Sequence, residues 1–355
     1  MSGGVAQLLA LGQQDTHIVG NPEISFFRSS FRRHTNFAQT VERQTIQGNV
    51  TRGGVSTIRL ERKGDLCSYM YLMPIDTSGP KANVSISDWS TCIDYVELLI
   101  GGTVVDKQTS EFVQHIAPRL LAPNMSKSRL GNIYGGTTNS SFYPLRFFFN
   151  ESWQTALNLV GLQYHDVEIR IRWADDAAAA ASKWEAYANF IFLDEAERNY
   201  FASGETQDVM VYQVQEAIPS NGKMQELNFN HPVKFLAATS TSAVSILGET
   251  NKVKLQINGT DVSDFKFARP NYTQIPLYYH IPFADRIDAT DEGKLFVYPF
   301  CLESSKTQST GSLNFSRLDS ARLVSETANS AQKIYAVNYN ILRYSKGLGA
   351  LLYAN

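Results

Sequence analysis

A chain of 355 residues with 43% hydrophobic and 12% aromatic content exceeds what one hydrophobic core ordinarily supports, so two domains are expected. Its 32 basic and 34 acidic side chains leave a net charge of -2. That argues against nucleic acid as a main partner, because neutralising a phosphate backbone takes a basic excess. The three cysteines, Cys67, Cys92 and Cys301, are far apart and odd in number, so they suit buried or free thiols of a reducing compartment and not a disulfide frame.

The chain opens with Val5, Leu8 and Leu9, which would share one face of a short helix. The apolar run from Val5 to Leu11 is interrupted by Gln7 and no Lys or Arg precedes it. It is also far below the ~20 residues of a bilayer span. Neither a signal peptide nor a transmembrane segment is expected, and the chain should be made in the cytosol.

From there the dominant signal is period two. Tyr95–Ile100, Gly101-Gly102 and Thr103–Asp106 read as strand, turn and strand. Asp166–Trp173 alternates throughout, as a strand with one buried face should, and puts Val167, Ile169, Ile171 and Trp173 in a core. Asp175-Asp176, followed by Ala177–Ala181 and Ser182-Lys183-Trp184, reads as a short helix with acids at its positive end. Asp194–Phe201 is a second helix that Gly204 would end. Lys252–Ile257 is a strand with Val253, Leu255 and Ile257 inward. It runs into Asn258-Gly259, whose tolerance of positive φ suits a type I′ hairpin turn, with Asp264–Phe267 as the return strand. Leu313, Phe315 and Leu318 suggest another strand, and Tyr335, Val337, Tyr339 and Ile341 line one face of a last one. Many short strands with Gly, Pro and Asn turns indicate an all-β sandwich architecture. The boundary is expected after Phe201–Gly204, giving an N-terminal arm at 1–25, a first jelly roll at 26–204 and a second at 205–355. No repeat between the halves is visible.

Catalytic and metal patterns are absent. The histidines His17, His34, His115, His165, His231 and His280 make no H-x-x-x-H or H-x-H pair and flank no cysteine pair. Asp194, Glu195 and Glu197 suit the start of a helix better than a hydrolytic carboxylate pair. Gly101-Gly102 and Gly135-Gly136 lack the phosphate-loop frame, and Gly347-x-Gly349 precedes no long helix. No catalytic residue, cofactor or metal is therefore expected. Arg28, Arg32, Arg33 and His34, interleaved with Phe27, Phe31 and Phe37, have the residue types of a nucleic-acid surface. With an acidic balance elsewhere they read better as salt-bridged strand ends or a subunit contact. Eight Asn-x-Ser/Thr tripeptides, at Asn49, Asn83, Asn124, Asn139, Asn150, Asn258, Asn271 and Asn314, are read as turn chemistry.

The two ends carry a resemblance. Gly20-Asn21-Pro22-Glu23-Ile24-Ser25-Phe26-Phe27 and Phe31–Ala38 at the start are matched by Ile334–Arg343 and Gly347–Asn355 at the finish. Both resemble the terminal signatures of the major capsid proteins of nucleocytoplasmic large DNA viruses. Internal blocks follow in the family's order: Gly64-Asp65-Leu66, Asp94–Gly102, Asn158–Val167, Phe192–Arg198, His231–Lys234 and Asn314–Ala321. The resemblance implies a double jelly roll of two eight-stranded antiparallel sandwiches with a few short helices. It implies a non-enzymatic structural protein of the virion that forms homotrimeric, pseudo-hexagonal capsomers tiling an icosahedral shell, assembled in host cytoplasm. It implies partners in its own copies, neighbouring capsomers and minor capsid proteins, without direct nucleic-acid binding. The arm would lie at the capsomer base, with Val5, Leu8, Leu9, Asn21, Pro22, Phe26 and Phe27 as lattice contacts and Arg28, Arg32, Arg33 and His34 as subunit contacts.

The chain departs from the family in length. Many members carry large outer loops, whereas here only about 22 residues are available per strand with its connection, which leaves short crowns at ordinary strand lengths. A shorter, non-major capsid paralogue is one alternative. A jelly-roll carbohydrate-binding module is another, with Trp89, Trp153, Trp173 and Trp184 as ring donors, although Trp173 falls on an inward face. A cupin-like metalloenzyme lacks the histidine spacing.

Overall fold

The computed structural model describes residues 3–124, 126–128, 140–218, 222–239, 245–282, 295–327 and 333–353. Gly135-Gly136, Asn139 and the last two residues of the C-terminal block lie outside the described residues. The chain divides into two units, residues 1–36 and residues 37–355. The first holds two short helices, Gly3–Leu9 and Thr16–Val19, and no residue of either is buried.

The second unit is two sandwiches. All strand pairings among the described residues are antiparallel. The first sheet runs Phe37–Gln44, Lys183–Leu193, Leu66–Asp76, Ala82–Asn83. The second runs Ile46–Gln47, Val55–Arg59, Val167–Trp173, Ile93–Ile100, Thr103–Thr109. The third runs Gln207–Ala217, Ile334–Ser345, Pro232–Thr239, Leu295–Pro299. The fourth runs Met224–Glu226, Ala321–Ser325, Lys252–Ile257, Thr260–Asp261. Strands beyond the expected eight per sandwich are mostly two-residue pairings at sheet edges, such as Tyr143–Pro144 and Leu313–Asn314. The fold is the all-β double jelly roll that the resemblance implied.

The alternating strand behaves as its pattern requires. Val167, Ile169, Ile171 and Trp173 are buried, while Glu168, Arg170 and Arg172 are only partly so. Ile169 sits between Ile58 and Leu98 on the flanking strands. The two hairpin turns also form as read. Gly101 and Gly102 take φ of +59° and +82°, and Asn258 and Gly259 take +50° and +78°, the left-handed pair a type I′ turn demands. Val253 and Leu255 are fully buried and Ile257 packs against the same core. Asp194 caps the helix Glu195–Ala202, its Oδ1 accepting from the Glu197 N–H at 3.0 Å.

Three readings are corrected. The alanine helix is a single turn, Ala177–Ala180, without a side-chain cap; Lys183 and Trp184 instead begin an eleven-residue strand, where cross-strand pairing outweighs helix propensity. The return after Asn258-Gly259 is broken: Thr260–Asp261 pairs first, and only Lys266–Phe267 of the expected segment pairs again. Leu313–Asn314 ends in a 3-10 turn over Phe315–Arg317, capped by Asn314, so Leu318 lies outside any strand. Tyr335, Val337, Tyr339 and Ile341 do line one face of Ile334–Ser345, and the opposite face is buried as well. Tyr335, Val337 and Tyr339 are buried, but so are Ile334, Ala336, Asn338 and Asn340.

The two halves repeat one another, which no sequence pattern revealed. In each, the first strand pairs with the last, and the last pairs with the next long strand in the same sheet. That last pairing carries a bulge at the same place: Phe190 pairs Cys67 and Asn189 pairs Tyr69 in the first half, and Asn338 pairs Val233 and Val337 pairs Phe235 in the second. The bulges make Tyr69 equivalent to Phe235, and Tyr187 equivalent to Tyr335.

Ile169 and Leu255 each occupy a fully buried position in a different sandwich. Replacing either with Asp should abolish a cooperative unfolding transition or lower stability by more than about 4 kcal/mol, since an unpaired charge in a core is among the severe single-site mechanisms. Arg170→Gln, on the outward face of the same strand, should stay within about 0.5 kcal/mol. Chemical denaturation followed by fluorescence checks all three; normal unfolding of both Asp variants would contradict the strand facing.

Candidate assembly surfaces

The third sheet has two covered faces. Ile334, Ala336, Leu236, Ala238 and Phe296 belong to the core of the second sandwich. Tyr335, Val337, Phe235, Ala237 and Val297 belong to a core that is continuous with the first sandwich. At these positions the alternation of Ile334–Ser345, Pro232–Thr239 and Leu295–Pro299 thus feeds two different cores. What covers the outer face is the edge of the first sandwich: the strand Thr103–Thr109, the helical segment Phe112–Leu120 behind it, and the turn Phe148–Glu151.

Polar groups stitch this seam. The Tyr335 hydroxyl donates to Glu111 Oε2 at 3.0 Å, lies 2.9 Å from Thr109 Oγ1, and its ring is 5.7 Å from that of Phe112. Tyr212 O–H donates to the Arg146 carbonyl at 2.8 Å, Ser304 O–H to the Leu120 carbonyl at 2.7 Å, and Gln213 Nε2–H to the Val105 carbonyl. Asp106 is enclosed there. Its Oδ1 accepts from the Val214 N–H at 2.9 Å and its Oδ2 from Gln108 Nε2 at 2.7 Å. Burial nevertheless dominates those donors and pushes the Asp106 carboxyl up to about 7. Burial raises Glu111 as well.

The equivalent face of the first sheet has no such cover among the described residues. Tyr71 and Tyr187 stack at 5.4 Å, and Phe142 meets Tyr71 edge-on at 6.0 Å. Tyr187, at the position equivalent to Tyr335, donates to Glu185 on its own strand at 2.8 Å. Beside the stack lies a groove of about 540 Å³ whose walls include Tyr69, Tyr71, Met73, Phe142 and Pro144, with Lys127 and Glu151 on its polar rim. Val41 and Phe142 are exposed on this face.

The N-terminal unit is a second open surface. Phe26, Phe27 and Phe31 are 90%, 97% and 85% exposed, and Val5, Leu8 and Leu9 are exposed on their short helix. Asn21 adopts φ of +48° ahead of Pro22. Among the described residues, Arg28, Arg32 and Arg33 make no ion pair, and they precede the first strand at Phe37, so the salt-bridged strand-end reading is corrected. His34 Nδ1 lies 2.7 Å from the Thr35 carbonyl.

Sites of other kinds fare as follows. Among the described residues no three His, Cys, Asp or Glu side chains gather as a metal cage. All three cysteines are free and buried, with the Cys67 thiol pushed up to about 12 by burial. Trp89, Trp173 and Trp184 are in the core, which leaves only Trp153 exposed and removes the aromatic platform a sugar-binding reading needs. Among the described residues no helix is long and apolar enough to cross a membrane.

Comparison with known proteins gives a consistent result. A family described as the major capsid protein N-terminus matches residues 25–214. The major capsid protein of Pyramimonas orientalis virus is 34% identical over 401 residues, covering all of both chains. That of Paramecium bursaria Chlorella virus 1 is 29% identical, again over the whole of both. Among solved structures, PBCV-1 VP54 fitted into a reconstruction of the virophage Sputnik matches with a TM-score of 0.76 at 26% identity, covering 93% of this chain and 100% of that one. The Faustovirus major capsid protein shares the fold, with a TM-score of 0.65 at 11% identity over 94% of each chain.

The seam should carry a pH signature. The folded pKa of Asp106 is raised above the unfolded value of about 3.9, so between about pH 4 and pH 7 the folded chain holds a proton that the unfolded chain has lost. Stability from this group is therefore greatest below that window and falls as pH rises through it, by up to about 1.4 kcal/mol per pH unit. Denaturation midpoints at pH 5 and pH 7 should differ less for Asp106→Asn than for the wild type; parallel pH profiles would refute the assignment.

Proposed function

Because the chain belongs to the major capsid protein family of large DNA viruses and is a structural component of the virion shell, we propose that it works as a homotrimeric capsomer, six-lobed in outline, that tiles an icosahedral lattice. The observation that carries this reading is the pair of equivalent sheet faces. One is covered by a sandwich of the same chain, and its counterpart carries a stacked aromatic pair and an apolar groove with no such cover among the described residues. An open apolar face of this kind marks an association surface. Covering it with a neighbour is a heterologous contact, and heterologous contacts close into rings when the rotation allows. With two lobes per chain, three chains give the six lobes that hexagonal packing needs.

The N-terminal unit is assigned to the lattice in the same reading. Residues 1–25 lie at the capsomer base, where Val5, Leu8, Leu9, Asn21, Pro22, Phe26 and Phe27 meet neighbouring capsomers or minor capsid proteins. Arg28, Arg32, Arg33 and His34 meet other subunits. Their exposure supports the assignment, since a segment with so little burial of its own gains order by docking. The protein carries no enzymatic activity, binds nucleic acid in no direct way, and assembles in host cytoplasm.

Light scattering should give three times the 39.6 kDa chain mass at micromolar concentration, with a total interface above ~2,000 Å². Only monomer would defeat the trimer. A chain beginning near Ile24, which keeps Arg28, Arg32, Arg33 and His34, should keep the trimer and lose shell assembly seen by electron microscopy. Loss of the trimer would move the N-terminal unit into the capsomer interface, and intact shells would remove its lattice role.

A further inference from the structure

The internal repeat also identifies what fills the open face. Aligning the hairpin turns Gly101-Gly102 and Asn258-Gly259 brings the two segments that follow them into correspondence. The strand Thr103–Thr109 and the helical stretch Phe112–Leu120 match the broken return Thr260–Phe267 and the helices Ala268–Asn271 and Gln274–His280. The two segments differ sharply in exposure. Phe112, Val113, Ile116 and Leu120 are at most 3% exposed, because this segment lies on the third sheet. Its counterpart leaves Val262 51%, Phe267 51%, Ile275 41%, Tyr278 80% and Tyr279 71% exposed. Tyr278 and Tyr279 meet edge-on at 4.9 Å and form one aromatic knob.

We propose that the stretch Val262–Tyr279 of one copy seats on the outer face of the first sheet of a second copy, over Tyr71, Tyr187 and Phe142, as Thr103–Leu120 seats on the third sheet within the chain. Among the described residues, the first sheet has a face without a covering segment, and the second half has an exposed segment without a sheet beneath its aromatic knob. The equivalence of Tyr187 to Tyr335 indicates where the segment lands, since Tyr335 is the residue that Phe112, Thr109 and Glu111 enclose. The chemistry agrees: aromatic and aliphatic groups on the segment meet aromatic side chains and an apolar groove, the composition of an interface centre. The contact is heterologous and uses both surfaces of every chain once, so a closed ring leaves neither exposed. This inference rests on the trimer reading above and names the surfaces that make it.

The test uses the full-length chain. Tyr278→Glu/Tyr279→Glu alters two exposed positions and should leave the circular dichroism and unfolding midpoint of the subunit unchanged. It should weaken trimer formation at least about a hundredfold, as removal of paired interface anchors does. Separately, a photo-crosslinking amino acid at position 278, in trimers mixed from isotopically light and heavy chains, should capture peptides from Leu66–Asp76 or Lys183–Leu193 of a different chain. If the wild type is a trimer and the double variant trimerises equally well, or if crosslinks fall elsewhere, this surface is wrong while the trimer stands. If the wild type is itself a monomer, both readings fail.

Discussion

Everything in the second unit depends on the third sheet being buried on both faces. A sheet with one wet face can be read as alternating apolar and polar residues; a sheet between two cores cannot. Ile334–Ser345 therefore carries apolar groups of both parities, and its buried polar groups need partners within the sheet. Asn340 Nδ2 donates to Gln213 Oε1 at 2.9 Å, and Gln215 Nε2 donates to Asn338 Oδ1 at 2.9 Å. These bonds hold the central strand to Gln207–Ala217, and that strand carries Tyr212, Gln213 and Val214 into the first sandwich. The result is one compact body from residue 37 onward, not two beads on a string.

Much of this was legible in the sequence wherever one physical rule acted alone. Val167–Trp173 has one wet face and one core, so its period was clean. The two hairpins were legible because positive φ is demanding and Gly-Gly and Asn-Gly meet the demand. Asp194 was legible as an acid at a helix start, which the dipole favours, and the structure makes it the cap. The misreadings lie where two rules compete. Tyr335, Val337, Tyr339 and Ile341 do share one face, but the second core on the other side was not in view. Ala177–Ala181 looked helical on propensity, yet Trp184 is needed in the core against Trp173, 4.9 Å away, and the strand takes over. The double jelly roll itself was carried by the family resemblance more than by any periodicity.

The repeat between the halves was invisible for a related reason. What the halves share is strand order, a bulge and a pair of turns, all backbone properties that many side chains satisfy. What they do not share is the company each face keeps. Tyr69 and Phe235 occupy the same backbone position, as do Tyr187 and Tyr335, yet in each pair the second residue is buried by the chain's own neighbour and the first is not. The side chains at such positions match different surroundings, so the two halves share a frame without sharing a sequence pattern. The low net charge fits the same picture, since a protein meant to pack beside its own copies gains nothing from strong self-repulsion.

The single connection between Leu193 and Gln207 has a further effect. It tethers the two sandwiches, so their seam closes as an intramolecular event at the high effective concentration that a short linker provides. A seam closed in this way tolerates groups that weaken it, and this one encloses Asp106 and Glu111. In the proposed trimer, the face of the first sheet that no described residue covers has no tether and would take its cover from another copy at whatever concentration is supplied. Its stacked tyrosines and apolar groove match that demand. Within the ring proposed above, alternate seams would obey different laws: half would be fixed by folding and insensitive to dilution, and half governed by mass action, so that the untethered seam would be the step at which subunit supply controls assembly.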